Sequence, residues 1–302
     1  MLLWMLLGGL VVLLSVRILM VRPRRHVEVL ATTFGQDGSL GADGRGRYDQ
    51  GTYYLNPQEC LTQLQIESML QGSRAYEPLI LVKGKSCCMV ITHPVGLSHM
   101  GDMACRIARE TIFGLYQGDD ETSPKDFLEQ ACFLAHRNIN EQMYVSNSGC
   151  SVAVLHIERG KLHWASSGDV GIYLCTHEMR SLNRMDLYKH RLRERVLEKK
   201  LKEEAVVNNR LKNELTAYLG HENLRQVELS DMPVMLRPSD QLLVVSKEVY
   251  EAFSPLRMEG ILRSILKPKE KMMALESAFA CGSQGEERRG YRPVAVIACK
   301  FR

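Results

Sequence analysis

The sequence predicts an α+β fold in which strands and helices occupy separate layers. Strand-like segments occur as a group, helical segments follow, and further strands close the chain. This order is typical of packed α+β layers rather than of a doubly wound parallel sheet. Of the 302 residues, 45% are hydrophobic and 25% are charged, which excludes disorder as the main state. The net charge of +4 is small for this length and does not indicate a nucleic-acid-binding surface over the whole molecule.

The amino-terminal 21 residues form an apolar run that one arginine interrupts. About 20 apolar residues in a helix cross the hydrocarbon core of a bilayer. Positive charges lie at the end of this run and just after it, at Arg17, Arg22, Arg24 and Arg25. The positive-inside rule therefore predicts a single-pass transmembrane anchor at residues 1–22, with residues 23–302 in the cytoplasm. A cleaved signal peptide is the alternative, although the basic n-region and the small-x-small cleavage site are lacking.

Residues 23–50 are predicted to be a glycine-rich juxtamembrane linker. Their stretch GQDGSLGADGRGR holds five glycines among polar neighbours, which is the composition of a flexible coil. From Gly51 onward, periodic elements follow one another without a second stretch of this kind. We therefore expect residues 51–302 to form one domain.

The cysteines indicate a reducing compartment. There are nine, an odd number, and no two have CxxC spacing. A disulfide framework or a zinc ribbon is therefore disfavoured, and we expect reduced, mostly buried thiols. This expectation agrees with a cytoplasmic location.

The predicted elements of the domain follow from residue periodicity and from capping residues. A hairpin is expected at 79–84 and 87–92, then one helix capped by Ser98 and another that begins at Ser123-Pro124. The later elements are strands at 151–158, 161–166 and 171–176, a long charged helix over about 187–218, a strand at 241–246, helices near 256–266 and 269–281, and a closing strand at 293–301.

Six short segments occur in a fixed order along most of the domain. They are GTYYLNPQE (51–59), VITHPVGLSHMGDMAC (90–105), SGCSVAVLHIERGKLHWASSGDVGIYL (148–174), NELTAYLG (213–220), RPSDQLLVVSKEVYEAF (237–253) and GYRPVAVIACKF (290–301). In this order they resemble the metal-dependent 2C-type, or PPM, serine/threonine protein phosphatases. The resemblance implies two packed antiparallel β-sheets flanked by helices, and in the family a pair of manganese or magnesium ions that generate a hydroxide nucleophile.

The resemblance also implies that the catalytic positions of the family are degenerate in this chain. The phosphate-binding arginine falls on Tyr54, and three metal-binding aspartates fall on a histidine, a lysine and a glycine. The degenerate positions are Tyr54, Glu59, His93, Pro94, Asp169, Lys247 and Gly290. Hard divalent ions need oxygen ligands, and a lysine ammonium would repel them. We therefore expect no intact catalytic residue, no metal and no cofactor, and a pseudophosphatase that binds or scaffolds a protein partner.

An active phosphatase with atypical manganese or magnesium ligands is the alternative function. A different alignment register would recruit other acids: Asp102, Asp169, Asp240 and Glu248. Carboxylates that converge within about 5 Å would favour this enzyme, whereas Lys247 near His93 would favour the binding protein. His93 and His99 with Cys88 or Cys105 are a further candidate metal group. An unrelated α+β domain is the last alternative.

The charged helix is the candidate docking surface. Its apolar side carries Leu192, Val196, Leu201 and Leu211, which would contact a protein partner. A solvated helix held by i,i+4 ion pairs is the simpler interpretation, and contact of its basic half with anionic lipid is another. Few aromatic residues accompany the charges, so nucleic-acid binding is not expected.

Overall fold

The computed structural model describes the parts of the chain that build two β-sheets and the helices packed on them. The described residues are 27–33, 51–55, 79–83, 86–96, 98–118, 122–143, 147–222, 224–237, 239–266, 270–271, 273–275, 277–278 and 294–299.

Twelve strands and six helices have defined bounds within these residues. The strands are β1 (Val27–Thr33), β2 (Gly51–Leu55), β3 (Leu79–Lys83), β4 (Ser86–Val95), β5 (Gly149–Glu158), β6 (Lys161–Ser167), β7 (Val170–Cys175), β8 (Met179–Ser181), β9 (Glu228–Leu229), β10 (Val234–Met235), β11 (Gln241–Ser246) and β12 (Val294–Cys299). The helices are α1 (Ser98–Gly118), α2 (Pro124–Gln142), α3 (Tyr188–Leu197), α4 (Glu203–Val207), α5 (Lys247–Ala252) and α6 (Pro255–Arg263).

The strands form two antiparallel sheets. Sheet A has the order β2-β1-β12-β11-β7-β8, and sheet B has the order β10-β6-β5-β4-β3, with β9 also paired to β6. One group of buried side chains lies between the sheets, including Met89, Leu155, Ile172 and Val244. The prediction of an α+β fold with antiparallel sheets and packed helices is confirmed.

Helices cover the outer face of each sheet. Sheet B packs on α1 and α2 through a core that includes Val154, Ile112 and Leu128. Sheet A packs on α5 and α6 through Leu243 and Met258 among others. Strand β5 is buried on both faces, which explains its nearly continuous apolar sequence without polar alternation.

Local signals in the sequence account for several element bounds. Ser123 caps α2 by accepting a hydrogen bond from the backbone N–H of Asp126 (3.3 Å), and Pro124 occupies the first helical position as predicted. The predicted hairpin forms as β3 and β4, with Lys83 opposite Ser86. The strand predicted at 241–246 has those bounds in the structure.

The turn between β6 and β7 carries the chain from sheet B to sheet A. Three consecutive strands with tight turns were predicted here, and their positions are confirmed, but the third strand joins the other sheet. Gly168, at this turn, has φ +100°, and a Cβ added to it would lie 2.2 Å from Ser151 Oγ. The turn therefore requires glycine.

Part of the predicted linker belongs to sheet A. Residues 27–33 were assigned to the linker, but they form β1. This strand pairs with β12 from Glu28↔Cys299 to Thr33↔Val294 and with β2 on its other side. The predicted anchor at 1–22 and the glycine-rich stretch at 35–46 lie outside the described residues. Among the residues that the structure describes, no helix is both long and apolar enough to cross a membrane.

The long charged helix predicted over 187–218 is wrong. The structure has two short helices, α3 and α4, separated at Lys199, which has φ +60°. A left-handed residue ends the first helix and turns the chain back. Leu192 is buried in the domain, Val196 and Leu201 are half-buried, and Leu211 is exposed, so these four side chains do not form one outward docking stripe.

Candidate functional site

The candidate site is built around a buried histidine at the end of a central strand. His93 lies near the end of β4, opposite Ser151 of β5, and its side chain is 1% exposed. Gly96 follows with φ +87°, which turns the chain from β4 toward α1. A strand buried on both faces therefore places an imidazole inside the sandwich.

Asp169 contacts one side of the His93 ring. Its Oδ1 lies 3.3 Å from His93 Nδ1, within hydrogen-bonding distance. The backbone N–H of Asp169 donates to Ser151 Oγ (3.2 Å), and the neighbouring Gly168 N–H donates to Asp186 Oδ2 (2.8 Å). These bonds hold the turn between the sheets, so the Asp169 carboxylate has a defined position.

Glu248 contacts the other ring nitrogen. Its Oε2 lies 3.4 Å from His93 Nε2, and its side chain is 9% exposed. Strand β11 ends at Ser246, and Glu248 is the second residue of α5, so the junction of β11 and α5 directs this side chain into the sandwich. The three side chains join β4, the β6–β7 turn and the β11–α5 junction.

Lys247 lies beside this group without occupying its centre. Its Nζ donates to the carbonyl oxygen of Asn213 at 2.7 Å. Its positive charge also contributes to lowering the pKa of Asp169. The His93 ring is therefore the cation in contact with both carboxylates. Lys247 adds a more distant positive charge that acts on Asp169.

The electrostatics of the group favour a charged histidine. Burial alone would lower the pKa of His93, but the carboxylates of Glu248 and Asp169 outweigh that cost and raise it to about 9. Burial would raise the pKa of Asp169, yet the charge and hydrogen bond of His93 lower it below the usual range. The raised pKa of His93 therefore favours an imidazolium at neutral pH, beside the side chains of Asp169 and Glu248.

The other predicted site residues are not part of this three-residue group. Pro94 is half-buried in β4, and Tyr54 belongs to β2 opposite Glu28, at the far side of sheet A from β11. Asp102 is half-buried in α1, and Asp240 accepts a turn hydrogen bond from the Arg237 N–H (2.8 Å). Glu59 and Gly290 lie outside the described residues.

The candidate metal group of His93 and His99 with a cysteine does not form. His99 is exposed on α1. Across the described stretches, the one group of at least three side chains able to hold a metal is His93, Asp169 and Glu248, whose candidate ligand atoms lie within 4.8 Å of one another.

Several solved structures with a similar arrangement of sheets and helices are serine/threonine phosphatases. The enzyme from S. agalactiae has a TM-score of 0.60 at 18% identity, covering 74% of this chain and 91% of that one. The catalytic domain of PstP, in complex with two manganese ions, has a TM-score of 0.59 at 14% identity, covering 90% and 98%. The PPM phosphatase MsPP from Mycobacterium smegmatis has a TM-score of 0.56 at 15% identity, covering 74% and 90%.

The chain has the fold of the PPM serine/threonine phosphatases. No protein-family model and no curated protein matches its sequence. The structural similarity thus confirms the expected resemblance to this family at the level of the fold.

The two-ion centre of the PPM fold does not fit the described residues. Two hard divalent ions need many oxygen ligands, whereas this group offers one imidazole and two carboxylates. An imidazole also coordinates such an ion only after losing its proton, and the pKa of His93 is raised to about 9. The donor set suits at most one transition-metal ion, so the expected absence of every metal remains a prediction.

Reading residues along the chain missed how Asp169 and Glu248 meet at His93. Asp169 was identified as a degenerate position of the resemblance, whereas its carboxylate contacts the His93 ring. Glu248 was named only as an acid that a different alignment register would recruit. The signal available in the sequence was an acidic residue two positions after the end of the strand predicted at 241–246.

We expect the stability of the protein to fall between pH 6.5 and about 9. The folded pKa of His93 is raised from 6.5 to about 9, so its stabilising contribution is complete below the unfolded value and is lost as pH rises through the folded one. A pKa shift of this size corresponds to a change of about 3 kcal/mol in the free energy of unfolding. Urea denaturation at a series of pH values measures the decrease.

The matched control for this pH dependence is the variant His93→Gln/Asp169→Asn/Glu248→Gln. It removes the three titrating groups with little change of shape, while Lys247 and Cys105, which also face the group, remain. The wild-type protein should lose about 3 kcal/mol relative to this variant across the window. Parallel pH profiles of the two proteins would show that folding does not raise the pKa of His93.

Proposed function

We propose that the chain is a membrane-anchored, catalytically inactive relative of the PPM phosphatases that binds or scaffolds a protein partner. The observation that carries this proposal is the position of the His93 ring between two acidic side chains. Its Nδ1 lies 3.3 Å from Asp169 Oδ1, and its Nε2 lies 3.4 Å from Glu248 Oε2. A charge that belongs to the protein thereby neutralises carboxylates that would otherwise attract a metal ion.

The charge balance of the group supports inactivity. Two carboxylates whose oxygens lie within 4.8 Å repel one another by about 3 kcal/mol or more at an effective dielectric constant near 20. The His93 imidazolium offsets this repulsion, and Lys247 adds a second positive charge on the Asp169 side. Two dications added to these two cations would experience strong repulsion.

Location and partner are part of the same proposal. The apolar run at residues 1–21 would hold the chain in a membrane, with residues 23–302 in the cytoplasm. The fold would then serve as a rigid body that presents the degenerate cleft to a protein. Among the similar structures, PppA of Pseudomonas aeruginosa is described as a regulatory component of a secretion system.

The test is phosphatase activity of the full chain in detergent. The full chain is needed because β1 lies between β2 and β12 in sheet A, so a form that begins at Gly51 would lack an internal strand. A small aryl phosphate and a phosphothreonine peptide are the substrates, and manganese is added up to millimolar concentrations. We expect no turnover of either substrate above background at any manganese concentration. A PPM phosphatase that hydrolyses both substrates under the same conditions is the positive control.

A second candidate function is a phosphatase that uses a single metal ion. His93 Nε2 and Glu248 Oε2 are buried, lie 3.4 Å apart and form no hydrogen bond with any residue that the structure describes. Two ligands of one tetrahedral zinc ion, with bonds of about 2.0–2.2 Å, have a similar separation. This arrangement favours a mononuclear site, and the approach of the Asp169 and Glu248 carboxylates to within 4.8 Å is the convergence expected of the enzyme.

Three variants distinguish the two candidates. Metal-dependent turnover that disappears in Asp169→Asn and Glu248→Gln but persists in Asp102→Asn would establish the enzyme and contradict our proposal. Asp102 is the matched control because it is a half-buried carboxylate on α1 outside the group. Turnover that all three variants retain would indicate a contaminating phosphatase.

A further inference from the structure

The segment at residues 188–212, termed here the basic segment, is closed at its base and anchored to the domain. The backbone N–H of Tyr188 donates to the Glu214 carbonyl (2.9 Å), and that of Lys189 donates to the Lys212 carbonyl (2.8 Å). Leu192 and Val206 are buried and fix α3 and α4. The basic segment therefore has a fixed conformation, with one side packed on the domain and the other exposed to solvent.

The basic segment concentrates the positive charge of the protein. It contains nine lysines and arginines against four glutamates, a net charge of +5, whereas the whole chain carries +4. The rest of the chain therefore carries a slightly negative net charge, and the positive charge is unevenly distributed toward the basic segment. Burial and nearby cations lower the pKa of His190 to about 4, so this histidine adds no charge at neutral pH.

Most of these cations are directed to solvent. Seven are exposed: Arg191, Arg193, Arg195, Lys199, Lys200, Lys202 and Arg210. Within the described part of the chain, only Lys200 of the seven forms a salt bridge, with Glu198 at 2.8 Å. A segment whose cations outnumber its acids, and most of whose exposed cations form no salt bridge with a described residue, favours contact with an anionic surface.

Three aliphatic side chains project among these cations. Leu197 is 83% exposed, Val207 is 61% exposed and Leu211 is 56% exposed. Leu197 ends α3 and Val207 ends α4, and the two helices contact one another. Exposed leucine and valine beside lysine and arginine are typical of surfaces that insert into the interfacial layer of a bilayer.

We propose that the basic segment binds an anionic lipid bilayer, with its cations on the headgroups and Leu197, Val207 and Leu211 in the interfacial layer. Lipid is favoured over a protein partner because the exposed apolar residues are scattered aliphatic side chains, without the exposed tryptophan or tyrosine typical of protein hot spots. The apolar run at residues 1–21 would bring the same chain to a bilayer. The proposal does not depend on whether the His93 group is catalytic.

The test is amide hydrogen exchange of the full chain in lipid nanodiscs. One set of nanodiscs contains phosphatidylcholine alone, and the other contains phosphatidylcholine mixed with phosphatidylglycerol. We expect amides of residues 191–212 to exchange about tenfold more slowly in the anionic nanodiscs, since each basic residue near such a surface contributes favourably. High salt should remove the difference.

Two variants separate charge from apolar contact. Arg193→Glu/Arg195→Glu/Lys199→Glu/Lys202→Glu should abolish the lipid-dependent protection, and Leu197→Ser/Leu211→Ser should reduce it while leaving its salt dependence. These side chains are exposed, so exchange within β5 should match the wild-type protein and report intact folding. Equal exchange in both kinds of nanodisc would overturn the proposal. Protection that appears only after a protein is added would overturn it as well.

Discussion

Replacement of His93 by alanine is expected to lower the free energy of unfolding by about 3–5 kcal/mol. The imidazolium is the cation between Asp169 and Glu248, and all three side chains are at least nine-tenths buried. Removing it leaves two carboxylates in a low-dielectric interior without a counter-ion, and they must repel one another or take up a proton. Urea denaturation at neutral pH measures this loss.

Removal of the carboxylate charges should restore part of that stability. The variant His93→Ala/Asp169→Asn/Glu248→Gln has the same cavity as His93→Ala but no buried charge, so the difference between the two isolates the electrostatic part. We expect the triple variant to be the more stable of the two at neutral pH. Equal stability would mean that His93 acts by filling space, and the account of the site would then be wrong.

Replacement of Gly168 by alanine is expected to destabilise the protein by about 2–5 kcal/mol, because strain and overpacking add. Gly168 has φ +100°, and an added Cβ would lie 2.2 Å from Ser151 Oγ and 2.8 Å from Ser151 Cα. Ser151 also accepts the hydrogen bond that positions Asp169. The substitution should therefore displace Asp169 from His93 and lower the pKa of the imidazole.

Gly260 provides the matched control for this substitution. It lies in α6, is exposed, and an added Cβ would meet no atom within 4 Å. Gly260→Ala should stabilise the protein by about 0.5–1 kcal/mol, because alanine loses less conformational entropy in a helix. Similar thermal denaturation midpoints for the two glycine variants would contradict the close packing of the turn at Gly168.

Elements with a local physical cause could be predicted from the sequence. Ser123 and Pro124 define the start of α2 because capping and the fixed φ of proline act over a few residues. Strand β11 was predicted with its observed bounds because its apolar run is flanked by polar residues. The resemblance to PPM phosphatases added the sheet arrangement, which no local pattern contains.

Elements that depend on distant partners could not be predicted in this way. Strand β1 is stabilised by pairing with β12, whose residues are more than 260 positions away in the sequence, and it precedes a glycine-rich stretch that favours coil. The break at Lys199 was missed because the charge pattern of α3 and α4 has helical spacing throughout.

The residues of the candidate site were predicted only in part, and their arrangement was not predicted. His93, Asp169 and Lys247 were identified by their place in the resemblance, and they do lie together. The role of Glu248 depends on how α5 leaves β11 and directs a side chain into the sandwich. A convergence of three chain segments is a property of the tertiary structure, so the sequence alone left both the enzyme and the binding protein open.

The protonation state of His93 in the presence of manganese tests the central claim most directly. Imidazole nitrogen-15 NMR of the full chain, with the His93 resonances assigned by loss in His93→Gln, reports whether both ring nitrogens carry protons. Our account predicts a doubly protonated ring at neutral pH, titrating near 9 and unaffected by manganese. A neutral ring whose resonances are broadened by stoichiometric manganese would contradict it and identify the group as a metal site.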